Sequence, residues 1–162
     1  MALIKADIIM ARQGIELYKS NEIKEVKNQA AYHLQQAAEK MIKIQIYRSG
    51  VPYENKSLYV HNLKVLIHYA ELLDFGVRIP DFIRKNALII SDWEASSRYD
   101  IHFTIKYPAA SNGVFDPRGI RQMCMQACPL DSLLAGIKIT SLEKCYKEVT
   151  SWYDELSGTG IK

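Results

Sequence analysis

The sequence predicts an all-α, up-and-down helical bundle built as a single domain over residues 1–162. Three observations carry that expectation. Apolar residues recur every three or four positions through most of the chain, the period of helices buried on one side. Alternating apolar–polar runs bounded by turns are nearly absent; only Ile101–Tyr107 reads as a strand, and it has no evident partner. Helix-ending signals recur with short connections between them, so successive helices should lie antiparallel. The length suffices for one sizeable core and not for two ordinary domains.

Each element has its own justification. Residues 3–18 are apolar with scattered charges and end before Lys19-Ser20-Asn21. Ile23, Val26, Ala30, His33 or Leu34, Ala37, Met41 and Ile44 then mark a second helix over 22–48. Ser20 or Asn21 can cap its start, and Glu22 suits its first turn. Ser49-Gly50-Val51-Pro52 stops it, with Gly50 free to turn left-handed. This rod would be roughly 40 Å long. Ser57 opens a third helix, whose stripe is Val60, Leu63, Leu66 or Ile67, Ala70 and Leu73, and Phe75-Gly76 ends it. Ile79-Pro80-Asp81 starts a fourth, carrying Phe82, Ile83, Ala87, Leu88 and Ile90 and continuing through Trp93 towards Ser97. An irregular stretch follows from Tyr107 to Pro117. Asp116-Pro117 forms a cap and first-position pair for a short helix up to Cys128, which Pro129 breaks. The last helix carries Leu130, Leu133, Leu134, Ile137, Leu142, Cys145, Val149, Trp152 and Leu156, and ends at Ser157-Gly158.

Composition narrows the classes. Apolar residues make 48% and charged residues 24%, a globular balance that argues against disorder. Uncharged stretches such as Gln122–Leu130 are far too short to span a bilayer, so no membrane role is expected. Lys5 interrupts the apolar start, which removes the core of a secretory signal. The net charge is +3 and no block of the chain is strongly basic, so any polyanion site must be assembled by folding. Cys124, Cys128 and Cys145 are odd in number and suggest a reducing, cytoplasmic setting. Cys124 and Cys128 share a helical face, but no His follows to complete a zinc set, and no metal or cofactor is expected. The ten tyrosines and two tryptophans are scattered like core anchors and not like a stacking platform for single strands.

The run Ala31-Tyr32-His33-Leu34-Gln35-Gln36-Ala37-Ala38-Glu39-Lys40-Met41-Ile42-Lys43 resembles the signature that HEPN domains carry on their second helix. Two further markers agree in order and spacing. His61-Asn62-Leu63 stands where the family opens its third helix, and Ser97-Arg98-Tyr99-Asp100 stands where it often reads Ala-Arg-Tyr-Pro after the fourth. The resemblance covers roughly residues 1–100 and weakens beyond. It implies a helical bundle that often dimerises and a place in nucleotide or RNA biology. Many members are paired with a small nucleotidyltransferase, as toxin and antitoxin or as a two-part enzyme, and some are metal-independent ribonucleases.

The ribonuclease members use an Arg followed after four to six residues by a His. The His moves the proton of a ribose 2′-hydroxyl while the Arg holds the phosphate as charge builds. The one close pair here is Arg98 and His102, with three residues between them. An offset of four brings the two together on a helix, and an even offset does so on a strand. Asp100 lies between them and would repel phosphate from the same side. Some toxins are modified on a Tyr two residues after the His; here that position is Thr104. The bland reading is that Arg98 anchors the end of the fourth helix and His102 packs or lies at the surface.

A second constellation lies on the second helix. Gln36, Lys40 and Lys43 fall on adjacent turns, beside the pair Gln35 and Glu39. Amide and ammonium groups at that spacing can read a base edge and a phosphate, and with Arg98 and Tyr99 they form the expected nucleotide or RNA site. The alternative is a solvated polar flank with an i,i+4 pair between Glu39 and Lys43 worth about 0.3 kcal/mol. His61 and His68, seven apart, would share a face of the third helix two turns from each other, too far to hold one ion. Finally, Ala31, Ala38, Ile42 and Ile46 form a second apolar stripe beside the first. A monomer would leave it partly exposed, so a homodimer is expected. The functional expectation is therefore a dimeric nucleotide- or RNA-associated binding module with a nucleotidyltransferase partner. The alternatives are an endoribonuclease toxin using Arg98 and His102, and an interaction scaffold without ligand.

Overall fold

Helix α1 covers Ala2–Asn21 and turns Ile4, Ile8, Ala11 and Ile15 into the core, a spacing of three or four that keeps them on one side. The computed structural model describes residues 1–52, 54–72, 76–98 and 137–158. α1 runs three residues beyond its expected end. Glu22 stops it by taking a left-handed conformation at φ 55°, its N–H bonded to the Tyr18 carbonyl at 2.7 Å.

Ile23 is extended and caps the start of α2, Lys24–Arg48, without a side-chain hydrogen bond. Ser20 and Asn21 are therefore not its caps. Both belong to α1, where the Ser20 hydroxyl donates back to the Leu17 carbonyl. Glu22 sits at the reversal and leaves Glu25 as the acid of the first turn of α2. Gly50 is left-handed just past α2, at φ 94°, as its position in the stop signal predicts.

α2 is the centre of the bundle. Ala30, Ala31, Leu34, Ala37, Ala38, Met41, Ile42 and Ile46 are all fully buried. The second stripe is thus not an exposed patch: Ala31, Ala38, Ile42 and Ile46 are covered by the chain's own helices. The argument for a dimer from that stripe falls away, because a helix packed on two sides needs two apolar stripes. Its pairing with α1 is the most extensive among the described elements. At Gly14 the two backbones come so close that a Cβ there would lie 3.0 Å from the Ala30 Cβ and 3.1 Å from the Val26 carbonyl oxygen.

A single 3₁₀ turn, Lys56–Leu58, precedes α3, Leu63–Leu72. Ser57 lies in that turn. The residue that caps α3 is Asn62, whose Oδ1 accepts from the backbone N–H groups of Lys64 and Val65 at 2.9 and 3.2 Å. The Ser91 hydroxyl accepts from the Leu63 N–H at 2.7 Å, tying the start of α3 to α4, Asp81–Arg98. α4 opens after Pro80 as expected, and buries Ile83, Ala87, Ile89, Ile90 and Trp93.

α5, Ile139–Ser157, packs Leu142, Cys145, Val149 and Trp152 against α1, α2 and α4. It begins at Ile139, since Ile137 is not helical and Lys138 is extended; the expected earlier part, with Leu130, Leu133 and Leu134, lies outside the described residues. The helix ends at Gly158, as expected, and that glycine takes the left-handed region. Among the described residues every regular element is helical. The expected strand at Ile101–Tyr107, the irregular stretch, the short helix up to Cys128, and with them Cys124 and Cys128, lie outside the described residues.

A polar face on the central helix

His33, Gln36, Lys40 and Lys43 follow at steps of three and four, so they form the outward stripe of α2. Just inside it, one turn apart, Gln35 and Glu39 are buried. The stripe is not a solvated flank. Its two lysines are each held by a carboxylate of the chain itself.

The first carboxylate is Asp7. It sits between Ile4 and Ile8 in the inward-facing arc of α1 and is buried with them. Lys40 Nζ lies 2.5 Å from its Oδ2, and His33 Nδ1 lies 3.0 Å from its Oδ1. The Tyr32 ring meets the His33 imidazole edge-on at 5.3 Å. Burial alone would raise the Asp7 pKa. The hydrogen bonds from His33 and Lys40 outweigh it and hold the carboxyl below its ordinary value.

A depressed carboxylate stabilises the fold above its unfolded pKa, and that contribution disappears as pH falls through the lower folded value. Stability should therefore decline below about pH 4, through the interval under the ordinary aspartate pKa. Asp7→Asn should flatten this acid limb while costing stability at pH 7. Denaturant unfolding between pH 2.5 and 7 measures it, and an unchanged acid limb in the variant would contradict the assignment.

The second carboxylate is Glu39. Gln35 Nε2 donates to its Oε2 at 2.9 Å, and Lys43 Nζ lies 2.7 Å from its Oε1. The Nδ1 of His61 is 3.2 Å from both oxygens. The same Gln35 amide donates to the His61 carbonyl at 3.1 Å, and the Gln36 amide donates to Gln35 Oε1 at 2.7 Å. Glu94 of α4 stands 4.0 Å from His61. The expected Glu39–Lys43 pair is present, but it is buried. The side chains are 6% and 17% exposed, a different regime from a surface pair.

His61 precedes the cap of α3, so it does not share a helical face with His68, which is exposed on that helix. Among the described residues no group of three His, Cys, Asp or Glu side chains is placed to hold a metal ion. Cys145 is buried, and burial pushes its thiol far up, which leaves it inert.

The structure thus brings Gln36, Lys40 and Lys43 together on one stripe. Arg98 is the last residue of α4, and its side chain, Tyr99 and His102 lie outside the described residues. The groups that sequence reasoning missed are Asp7 and the contact of His61 with Glu39. Asp7 left a trace, as an acid at a core-facing register of α1. The His61 contact left none. Comparison with protein-family models, with curated proteins and with solved structures yields no match to this chain.

Proposed function

We propose that this chain is a nucleotide- or RNA-binding helical module of the HEPN type that works with a nucleotidyltransferase partner, and that its ligand face is the outward stripe of α2. The observation that carries the proposal is the arrangement of Gln36, Lys40 and Lys43, three donor side chains on consecutive turns. Two of them are fixed by the carboxylates of Asp7 and Glu39. An ammonium has three N–H groups and an amide two, so each retains donors beyond the bond it makes within the chain. Fixing them beforehand lowers the ordering cost of gripping a phosphate or a base edge. The same residues belong to the stretch that resembles the family signature, and Arg98 and Tyr99 would complete the site from the end of α4.

One observation favours a second reading. Two carboxylates balance the two lysines, so the face carries little net positive field for an anion. On that reading the network only joins helices, and the chain is an interaction scaffold.

Titration of the full chain with ATP, AMP and a short single-stranded RNA decides between them. Binding is expected for at least one probe, weakened at least about tenfold by Lys40→Gln with helicity retained, since charge-assisted contacts are worth roughly 1.5–3 kcal/mol. The amide keeps a donor for Asp7, and circular dichroism of the same variant separates loss of the contact from loss of the fold. No binding at about 1 mM of any probe leaves the scaffold reading. The same RNA incubated in a chelator tests the enzyme alternative. We expect no cleavage, because the Arg98–His102 spacing is one residue short and Asp100 lies between; cleavage lost in His102→Ala would establish a ribonuclease instead.

A further inference from the structure

His33 holds one ring nitrogen in reserve on the outward stripe of α2. Its Nδ1 faces Asp7 Oδ1 at 3.0 Å, while Lys40 takes the other carboxylate oxygen. Against the opposing effect of burial, these two bonds keep the Asp7 carboxyl ionised, so the proton between Asp7 and His33 belongs to Nδ1. Across the ring, Nε2 has no hydrogen-bond partner among the described residues and is not shut off from solvent. With Nδ1 committed, the next proton the ring accepts goes to Nε2. It turns that atom from an acceptor into a cationic donor, on the same stripe as Gln36 and Lys40.

The charges around the ring give this reserve a use. The positive charge of Lys40 is matched by Asp7, and that of Lys43 by Glu39. A phosphate laid on the stripe brings a further negative charge, and within this network only the histidines can answer it. His61 faces two carboxylates, Glu39 of α2 at 3.2 Å and Glu94 of α4 at 4.0 Å, against the one ammonium of Lys43. A proton on His61 is therefore matched inside the chain. Around His33 the carboxylate of Asp7, from α1, is balanced by the ammonium of Lys40, and Tyr32 meets the imidazole ring to ring. A proton on His33 is left over for a ligand.

We infer that His33 is a further binding residue of the α2 face, which grips a ligand phosphate through Nε2–H beside Lys40 and takes up a proton from solvent as it binds. The imidazolium then bridges two anions, Asp7 at Nδ1 and the phosphate at Nε2. The inference rests on the ligand face proposed for α2. It also answers the weak positive field of that face, because the missing charge arrives with the ligand. The coupling is reciprocal: whatever factor the proton adds to the affinity for phosphate, the phosphate adds to the affinity for the proton. The ligand class is accordingly phosphate-bearing, and a neutral nucleoside gains nothing from the proton.

Titration of the full chain with AMP and with a short single-stranded RNA, at about pH 6 and about pH 8, tests it. The wild type should bind about tenfold more tightly at the lower pH. His33→Gln keeps an amide donor for Asp7 and cannot take up a proton, so this difference should vanish apart from the probe's own titration, which is common to both proteins. His68→Gln, at an exposed position of α3, should keep the full response of the wild type. Circular dichroism at both pH values checks that each variant is folded. Calorimetry in two buffers of different ionisation enthalpy should show more protons taken up by the wild type than by His33→Gln. An equal pH response in the wild type and His33→Gln overturns the inference and leaves the ligand face standing. A loss in His33→Gln that is the same at both pH values gives His33 only a positioning role and overturns it too. No binding of either probe at either pH removes the ligand face and the inference with it.

Discussion

Lys43→Met should lower the melting temperature by roughly 6–12 °C. Removing one partner of a buried pair leaves the other charge uncompensated, at a cost of about 3 kcal/mol or more, and about 1 kcal/mol moves a domain of this size by roughly 2–4 °C. Glu39 would keep the Gln35 amide and the His61 imidazole, but His61 is more than half exposed and cannot replace an ammonium bonded at 2.7 Å. Two comparisons isolate the cause. Arg12→Ala breaks an ion pair whose side chains are 64% and 60% exposed, and should change the melt little. The double variant Glu39→Leu with Lys43→Met should recover much of the loss, since apolar groups of similar volume do not leave a buried charge behind. If Lys43→Met costs no more than Arg12→Ala, the buried network contributes nothing particular to stability.

Gly14→Leu should cost about 3 kcal/mol in denaturant unfolding, the upper end of what overpacking a tight interface produces. The space that a side chain would enter holds a backbone carbonyl and the Cβ of Ala30, neither of which can rotate away. The helices would have to separate along their most extensive contact. Gly14→Ala is the informative control. Alanine gains up to about 1 kcal/mol of helix propensity over glycine, and its single carbon requires a shift of only a few tenths of an ångström. It should therefore fall near the wild type. A Gly14→Leu protein as stable as the wild type would mean that α1 and α2 do not approach this closely.

The features the sequence revealed are those decided by near neighbours. The period of α2, the left-handed glycine at 50, the helix end at 158, the start of α4 after Pro80 and the Glu39–Lys43 pair all follow from residues within one or two turns of each other. The misplaced caps show where local preference loses. Ser20 and Asn21 favour a cap wherever they stand, yet α1 stays helical through both, and the reversal falls on Glu22, a residue with no special taste for it. The second stripe of α2 shows a different limit. Ala31, Ala38, Ile42 and Ile46 declare that something apolar must cover them, and no pattern within the helix says whether the cover is the same chain or another. The polar site combines both cases. Lys40 meets Asp7 across 33 positions and His61 meets Glu39 across 22, separations at which only the completed fold decides proximity.

The connection between α1 and α2 bears on how the chain assembles. Only Glu22 and Ile23 separate the two helices, so the loop that must close before they touch is nearly the shortest a helical hairpin allows. Their contact is also the most extensive among the described helices and joins residues close in sequence. The entropic cost of bringing them together is therefore small and is met early by apolar burial. α5 is in the opposite position. Its Leu142, Cys145, Val149 and Trp152 must return across some forty intervening residues to reach helices α1, α2 and α4. The hairpin is thus the natural nucleus of folding and α5, among the described helices, the last to close. In variants such as Gly14→Leu the damage should appear first in the folding rate, whereas weakening the contacts of α5 should chiefly speed unfolding.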